Sequence, residues 1–195
     1  MKIENEHSVL NILLELPILK TDILKCFLLY FYPMQSLDIR LIQPGDNAIL
    51  AKIVRSSLAE FGANKPGTVY YDDSTDHLYE LFQKEGSVYY VALMDSEIVG
   101  GAGIFPSDGL PEGICELVKM YLTPAARGIG AGKKLIAKCV EFAKANNYHS
   151  IYLETMPELK KAVSVYEKLG FQYLDGPMGN TGHFGCDIWM IRRIG

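Results

Sequence analysis

The sequence predicts a single α/β domain, and three observations carry that expectation. Short β-rich runs alternate with segments whose apolar residues recur every three or four positions. Two of the β-rich runs, SVYYVALM and EIVGGAGIF, are separated only by Asp95 and Ser96, which reads as a hairpin. The 195 residues are 49% hydrophobic and 22% charged, enough apolar surface for one buried core and far from the composition of a disordered chain.

Each element follows from its local pattern. LDIRLI, residues 37–42, alternates apolar and polar side chains as a half-buried strand does. Asp46 stands where an N-cap belongs, ahead of AILAKIVRSSLAEF, in which Ile49, Leu50, Ile53, Val54 and Leu58 share one helical face. A second helix is expected from about Ser74 to Lys84, capped by Ser74, with Leu78, Leu81 and Phe82 on one side and Gly86 past its end. The hairpin comes next, and ICELVKMYL (114–122) supplies a further strand that Pro124 closes. From Gly130 to Asn147 the residues Leu135, Ile136, Cys139, Val140, Phe142 and Ala143 keep the clearest helical rhythm in the chain. SIYLET is a short strand, and PELKKAVSVYEKLG a helix with proline in its first turn and Gly170 at its end. FQYL and CDIWMIRR are closing strands.

Composition narrows the function. A net charge of -4 argues against nucleic acid as the main partner, because phosphate binding needs a basic stripe. Cys26, Cys115, Cys139 and Cys186 form no C-x-x-C pair, and His7, His77, His149 and His183 are equally scattered, so no metal site is expected and the thiols read as reduced and cytoplasmic. Residues 1–35 form an apolar extension in which Glu15, Lys20, Asp22 and Lys25 interrupt any membrane-length run. Two readings stand for it: a helix that packs on the domain or at a homodimer contact, or sequence ahead of a true initiator at Met34.

The stretch TPAARGIGAGKKL, residues 123–135, lies between a strand and a helix. The first N–H groups of a helix lack internal partners and sit at the positive end of its dipole, so bare glycine backbone there suits an anion. Gly128, Gly130 and Gly132 leave the approach open, with Arg127 and Lys133 as nearby cations. A P-loop would need Ser or Thr where Lys134 stands. A dinucleotide fingerprint would need a third glycine at Lys133, although Glu154 ends the next strand as that fold requires. A plain turn and helix cap is the remaining alternative.

ARGIGAGKKL resembles motif A of the GNAT superfamily of acyl-CoA-dependent N-acetyltransferases at Arg127, Gly130 and Gly132. SVYEKLGF resembles that superfamily's motif B at Tyr166, Gly170 and Phe171, in the same order and spacing. The likeness runs from residue 36 to the C-terminus. It implies a central mixed, mostly antiparallel sheet flanked by helices, with splayed strands forming a cleft for acetyl-CoA as acyl donor. Its pantetheine would pair with backbone around Met120, Tyr121 and Leu122. Its pyrophosphate would rest on the run from Arg127 through Gly128, Ile129, Gly130, Ala131 and Gly132 to Lys133. Many relatives carry asparagine where this chain has Leu159, which leaves one cofactor contact to be supplied elsewhere.

The implied reaction is acetyl transfer to a primary amine by direct attack in a ternary complex. An alkyl amine with a pKa of about 10.4 arrives protonated and needs a base. Glu116, on the strand ahead of the acetyl end, resembles the glutamate that some members use, and its plain reading is a solvated or hydrogen-bonded strand carboxylate. The Met120 N–H is the expected donor to the carbonyl oxygen. Tyr166 is the expected acid for the departing thiolate, its plain reading a core aromatic. His183 and Asn180, in the glycine-rich loop between the last two strands, and Tyr71, beside Tyr70 and Asp72, are candidates to touch a small-molecule or peptide acceptor. A non-catalytic CoA-binding sensor or interaction module is the competing function.

Overall fold

The hairpin forms where two consecutive residues accept positive φ. Asp95 and Ser96 stand at φ 49° and 72°, which a two-residue turn between twisted strands requires at both positions. In the computed structural model, which describes residues 36–182 and 184–195, that turn joins β2 (Val88–Met94) to β3 (Glu97–Phe105). The Asp95 carboxylate accepts the Ser36 N–H at 2.9 Å, tying the start of β1 (Leu37–Leu41) to the turn.

The remaining elements follow in chain order. They are α1 (Asn47–Glu60) and α2 (Leu78–Leu81) before the hairpin, then β4 (Ile114–Leu122), α3 (Ala131–Ala145), β5 (Ser150–Thr155), α4 (Lys160–Lys168), β6 (Gln172–Leu174) and β7 (Ile188–Arg193). Seven strands make one sheet in the order β1-β2-β3-β4-β5-β7-β6. Among the described residues only β4 and β5 run parallel and every other pairing is antiparallel, so the sheet is mixed and mostly antiparallel.

Helices cover both faces. On one, Leu135, Ile136 and Cys139 of α3 pack among Ala102, Ile104, Leu117, Leu153 and Met190. On the other, Leu50 of α1 and Leu78 of α2 meet Phe82, Tyr89 and Val91. A third cluster joins Val54 and Leu58 of α1 to Val69, Met156 and Cys186. Each fully buried leucine or isoleucine contributes about 1.5–3 kcal/mol, so these clusters fix α1 and α3 against the strand that separates them. No helix among the described residues is long and apolar enough to cross a membrane.

The helix expected from Ser74 to Lys84 is much shorter. A 3-10 turn covers Asp73–Asp76, His77 breaks the backbone at φ -130°, and α2 holds only Leu78–Leu81. Polar side chains explain the break. Thr75 Oγ1 donates to the Val69 carbonyl at 3.0 Å, and both oxygens of Asp76 accept from Arg55 of α1 at 2.7 and 2.6 Å. The cap of α2 comes from a distant residue, Asn47 Oδ1, which accepts the Tyr79 N–H at 2.8 Å. The apolar set Leu78, Leu81 and Phe82 needs no more than one turn to reach the core.

Candidate active site

The site begins where two neighbouring strands part. β4 pairs with β5 at Ile114, Cys115 and Glu116 and no further, although β4 continues to Leu122. On its other side β4 stays with β3, through a bulge: between the pairs Gly103↔Val118 and Gly101↔Tyr121, Ala102 alone faces Lys119 and Met120. Lys119 takes φ 50° to make it. A bulge bends its strand and re-aims the following side chain. Beyond Glu116 the wedge between the strands is lined by Glu116, Met120, Tyr121, Glu154, Tyr166 and Cys186.

Glu116 sits at the apex, 3% exposed, and its carboxylate accepts a hydrogen bond from Ser107 Oγ. Glu154 of β5 accepts from Tyr152 at 2.7 Å and from Thr181 at 2.9 Å, while the Met178 N–H donates to the Tyr152 hydroxyl at 3.0 Å. These bonds draw the loop between β6 and β7 onto the end of β5. Tyr166 projects from α4 with its ring edge-on to Phe171, and its hydroxyl lies 3.7 Å from the Met120 sulfur. Burial pushes that hydroxyl's pKa above the ordinary tyrosine range, so it keeps its proton at neutral pH. The Cys186 thiol is pushed up to about 12, by burial first and then by the carboxylates of Glu154 and Glu116, and is therefore no nucleophile.

Lys119, unremarked in the sequence, also lines the wedge. Its ammonium lies 3.2 Å from Asp72 Oδ2, and burial lowers its pKa against the opposing pull of Asp72.

At the far end of β4 the chain makes the glycine turn. Gly128 and Gly130 stand at φ 82° and 94°, and a Cβ built on either meets nothing within 4 Å, so conformation demands glycine there while space stays open. The first intrahelical bond of α3 runs from the Lys134 N–H to Gly130 O at 3.1 Å. The N–H groups of Ala131, Gly132 and Lys133 thus form the positive end of the helix. Gly132 serves differently: a Cβ there would stand 3.0 Å from Met120 Cε, so its bareness lets α3 lie close on β4. Ala131 is buried, whereas Ile129 and Lys133 are exposed.

Arg127, expected to add charge to this rim, has its guanidinium paired with α1 in the structure. Its guanidinium grips Glu60 of α1 with two bonds of 2.7 and 2.9 Å, donates from Nε to Leu122 O at 3.0 Å, and lies over the Phe61 ring. The fork matches a carboxylate on α1 and is thereby turned to anchor the glycine turn.

The expected acceptor residues are not gathered in the wedge. Tyr71 is 60% exposed and packs edge-on against Tyr70. Asn180 is exposed, and its N–H donates to Asp108 O at 2.8 Å. His183 and residues 1–35 lie outside the described residues. Leu159 does line the wedge. A larger apolar hollow of about 320 Å³ lies between α1 and Pro124, but it lacks the pairing of an open strand edge with a buried carboxylate.

A sheet parted at its parallel pair β4–β5, with a glycine turn and helix start at the open end, invites comparison with known proteins. Residues 53–171 match the Acetyltransferase (GNAT) family. The chain belongs to that family. The uncharacterized N-acetyltransferase YjgM of Escherichia coli (strain K12) is 41% identical over 162 residues, covering 82% of this chain and 96% of the relative. Among solved structures, a GNAT-family acetyltransferase from Staphylococcus aureus Mu50 superposes with a TM-score of 0.73 at 21% identity, covering 82% of this chain and 100% of that one. The PaiA N-acetyltransferase from Thermoplasma acidophilum, in complex with coenzyme A, gives 0.64 at 20% identity over 81% of this chain and 99% of its own. This GNAT protein is an acyl-CoA-dependent N-acetyltransferase.

Proposed function

We propose that residues 36–195 form the acetyltransferase domain and move the acetyl group of acetyl-CoA to a primary amine by direct attack, both substrates being bound together. The observation that carries the reading is the divergence of β4 from β5 after Glu116, which leaves a strand edge open between a buried carboxylate and a tyrosine hydroxyl. The glycine turn fits the donor: open space at Gly128 and Gly130 admits a diphosphate to the amides of Ala131, Gly132 and Lys133. The unpaired edge of β4 from Leu117 to Leu122 fits the amide-bearing pantetheine arm. The Thermoplasma neighbour, solved with coenzyme A, supports the same choice of donor.

Acetyl-CoA supplies a thioester carbonyl. Glu116 accepts the proton that the amine must lose, directly or through water. The Met120 N–H donates to the carbonyl oxygen as negative charge builds on it. Tyr166, held in its protonated form by burial, donates to the departing sulfur. Glu116 and Glu154 both line the wedge, so a cationic amine approaches an acid-rich wall. The acceptor class is a small-molecule or peptide primary amine.

The test is release of free thiol from acetyl-CoA across a panel of amines, for wild type and Glu116→Gln. Turnover on at least one amine, reduced about a hundredfold in the variant, is expected for a general base. Coenzyme A binding with no turnover on any amine would instead identify a binding module.

A further inference from the structure

Lys119 stands against two unfavourable terms. Its backbone lies at φ 50°, a left-handed conformation that disfavours a residue with a Cβ. Its charged side chain is taken out of water, the residue being 7% exposed. Glycine or asparagine would make the bulge more easily, and a neutral side chain would fill the wall more easily. Such strain persists where the surroundings over-determine it, and it clusters at functional sites.

The surroundings here are specific. Lys119 Nζ donates to Asp72 Oδ2 at 3.2 Å and to Thr75 Oγ1 at 3.3 Å. Both acceptors belong to the segment Val69–Asp76, and Val69 itself lines the wedge. Thr75 relays the link by donating to Val69 O, and Arg55 of α1 holds the same segment through Tyr70 O and Asp76. On the main-chain side, the hydroxyl of the fully buried Tyr89 donates to Lys119 O at 2.9 Å. That carbonyl and the Met120 N–H belong to one planar trans peptide unit, so fixing the C=O toward Tyr89 fixes the N–H in the opposite direction.

We infer that Lys119 is a positioning residue for acetyl transfer. By reaching from the bulge to Asp72 and Thr75, it locks the Lys119–Met120 peptide plane and aims the Met120 N–H, while setting the span between β4 and the Val69–Asp76 wall. The inference rests on the role given to Met120 in the proposed reaction. It extends that role to a residue that touches no reacting atom.

Four variants test it. Lys119→Met keeps the stem and removes the charge; Lys119→Gly relieves the backbone strain and removes the clamp; Asp72→Asn cuts the link from the other side; the fourth combines Lys119→Met with Asp72→Asn. On a working amine kcat should fall about ten- to a hundredfold, more than coenzyme A affinity falls through the β4 edge that Lys119 shares. The double variant should be no worse than either single, since one link is cut twice. The backbone amide resonance of Met120 should shift in Asp72→Asn, where residue 119 itself is unchanged, while those of Gly130 and Ala131 stay in place.

Wild-type kcat in folded Lys119→Met or Lys119→Gly, losses that multiply in the double variant, or an unmoved Met120 amide would each overturn the inference. Should Lys119→Met fail to fold, Lys119→Gly and Asp72→Asn carry the same comparison. A wild-type protein that acetylates no amine would refute the proposed reaction instead, and the Met120 resonance then judges the clamp alone.

Discussion

The Tyr166 hydroxyl lies 3.7 Å from the sulfur of Met120, one side chain reaching out from α4 and the other from β4 across the wedge. A thioether sulfur is a weak acceptor, so this contact holds the hydroxyl without consuming it. Tyr166→Phe removes one oxygen and keeps the ring against Phe171. Its kcat should fall about a hundredfold, with coenzyme A affinity and melting temperature nearly unchanged. Steady-state kinetics beside calorimetry separate this from a packing role, in which stability and affinity would fall together.

The glycines of the turn should divide into two kinds. Gly130→Ala forces a Cβ into φ 94°, which should destabilise the turn by about 1–2 kcal/mol and weaken coenzyme A binding about tenfold. Gly132→Ala places its methyl 3.0 Å from Met120 Cε, the mobile end of a flexible side chain. It should disturb the Met120–Tyr166 contact and lower kcat several-fold while leaving affinity close to wild type. Titration calorimetry and initial rates on the two variants check the division.

Charge at the turn should come from Lys133 and not from Arg127. The Arg127 guanidinium is already matched by Glu60, whose carboxyl it holds below the usual range. Lys133→Ala should weaken coenzyme A binding several-fold and flatten its dependence on salt, because an exposed cation acts through a screened field. Arg127→Gln should also raise the dissociation constant, by loosening the turn, but with the wild-type salt slope. Binding isotherms at two ionic strengths distinguish them.

Stability should fall from about pH 9, where the unfolded thiols of Cys115, Cys139 and Cys186 begin to ionise while burial keeps the folded ones protonated, and more steeply above about pH 10. Burial raises the pKa of Tyr89, Tyr121, Tyr152 and Tyr166 above the ordinary tyrosine value of about 10. The unfolded chain then releases these protons at lower pH than the folded one, so the native advantage is complete below pH 10 and shrinks as pH rises beyond it. Lys119 has the opposite sign, its pKa being lowered by burial, but it is a single group against these tyrosines and the buried thiols. Thermal melts from pH 7 to 11 should begin to fall near pH 9 with the thiols and drop more steeply above about 10 with the tyrosines.

What was legible in the sequence was local. The spacing of Leu135, Ile136 and Cys139 marked α3 because a helix repeats within a few residues, and Asp95-Ser96 marked the hairpin because its turn needs only two positions. The likeness to GNAT motifs brought Tyr166 and Glu116 into view, and both line the wedge. What escaped was set at a distance. Arg127 and Glu60 are 67 positions apart, Lys119 and Asp72 are 47 apart, and no short-range pattern couples either pair. Lys119 left one faint trace: apolar residues on both sides of it, at Leu117-Val118 and Met120-Tyr121, break the strand's alternation where the bulge falls. The over-long second helix has the same origin, since Asp76 answers to Arg55 on another element.

Three paired residues are all that stitch β4 to β5. The main chain therefore joins two lobes of sheet, β1 to β4 and β5 to β7, along a short seam with Glu116 at its end. A molecule laid into the gap would act as a keystone as well as a reagent, bridging by its own amides what the polypeptide leaves open. Glu116 is the last paired residue of that seam, so its backbone is held by β5 at the point where its carboxylate meets the gap.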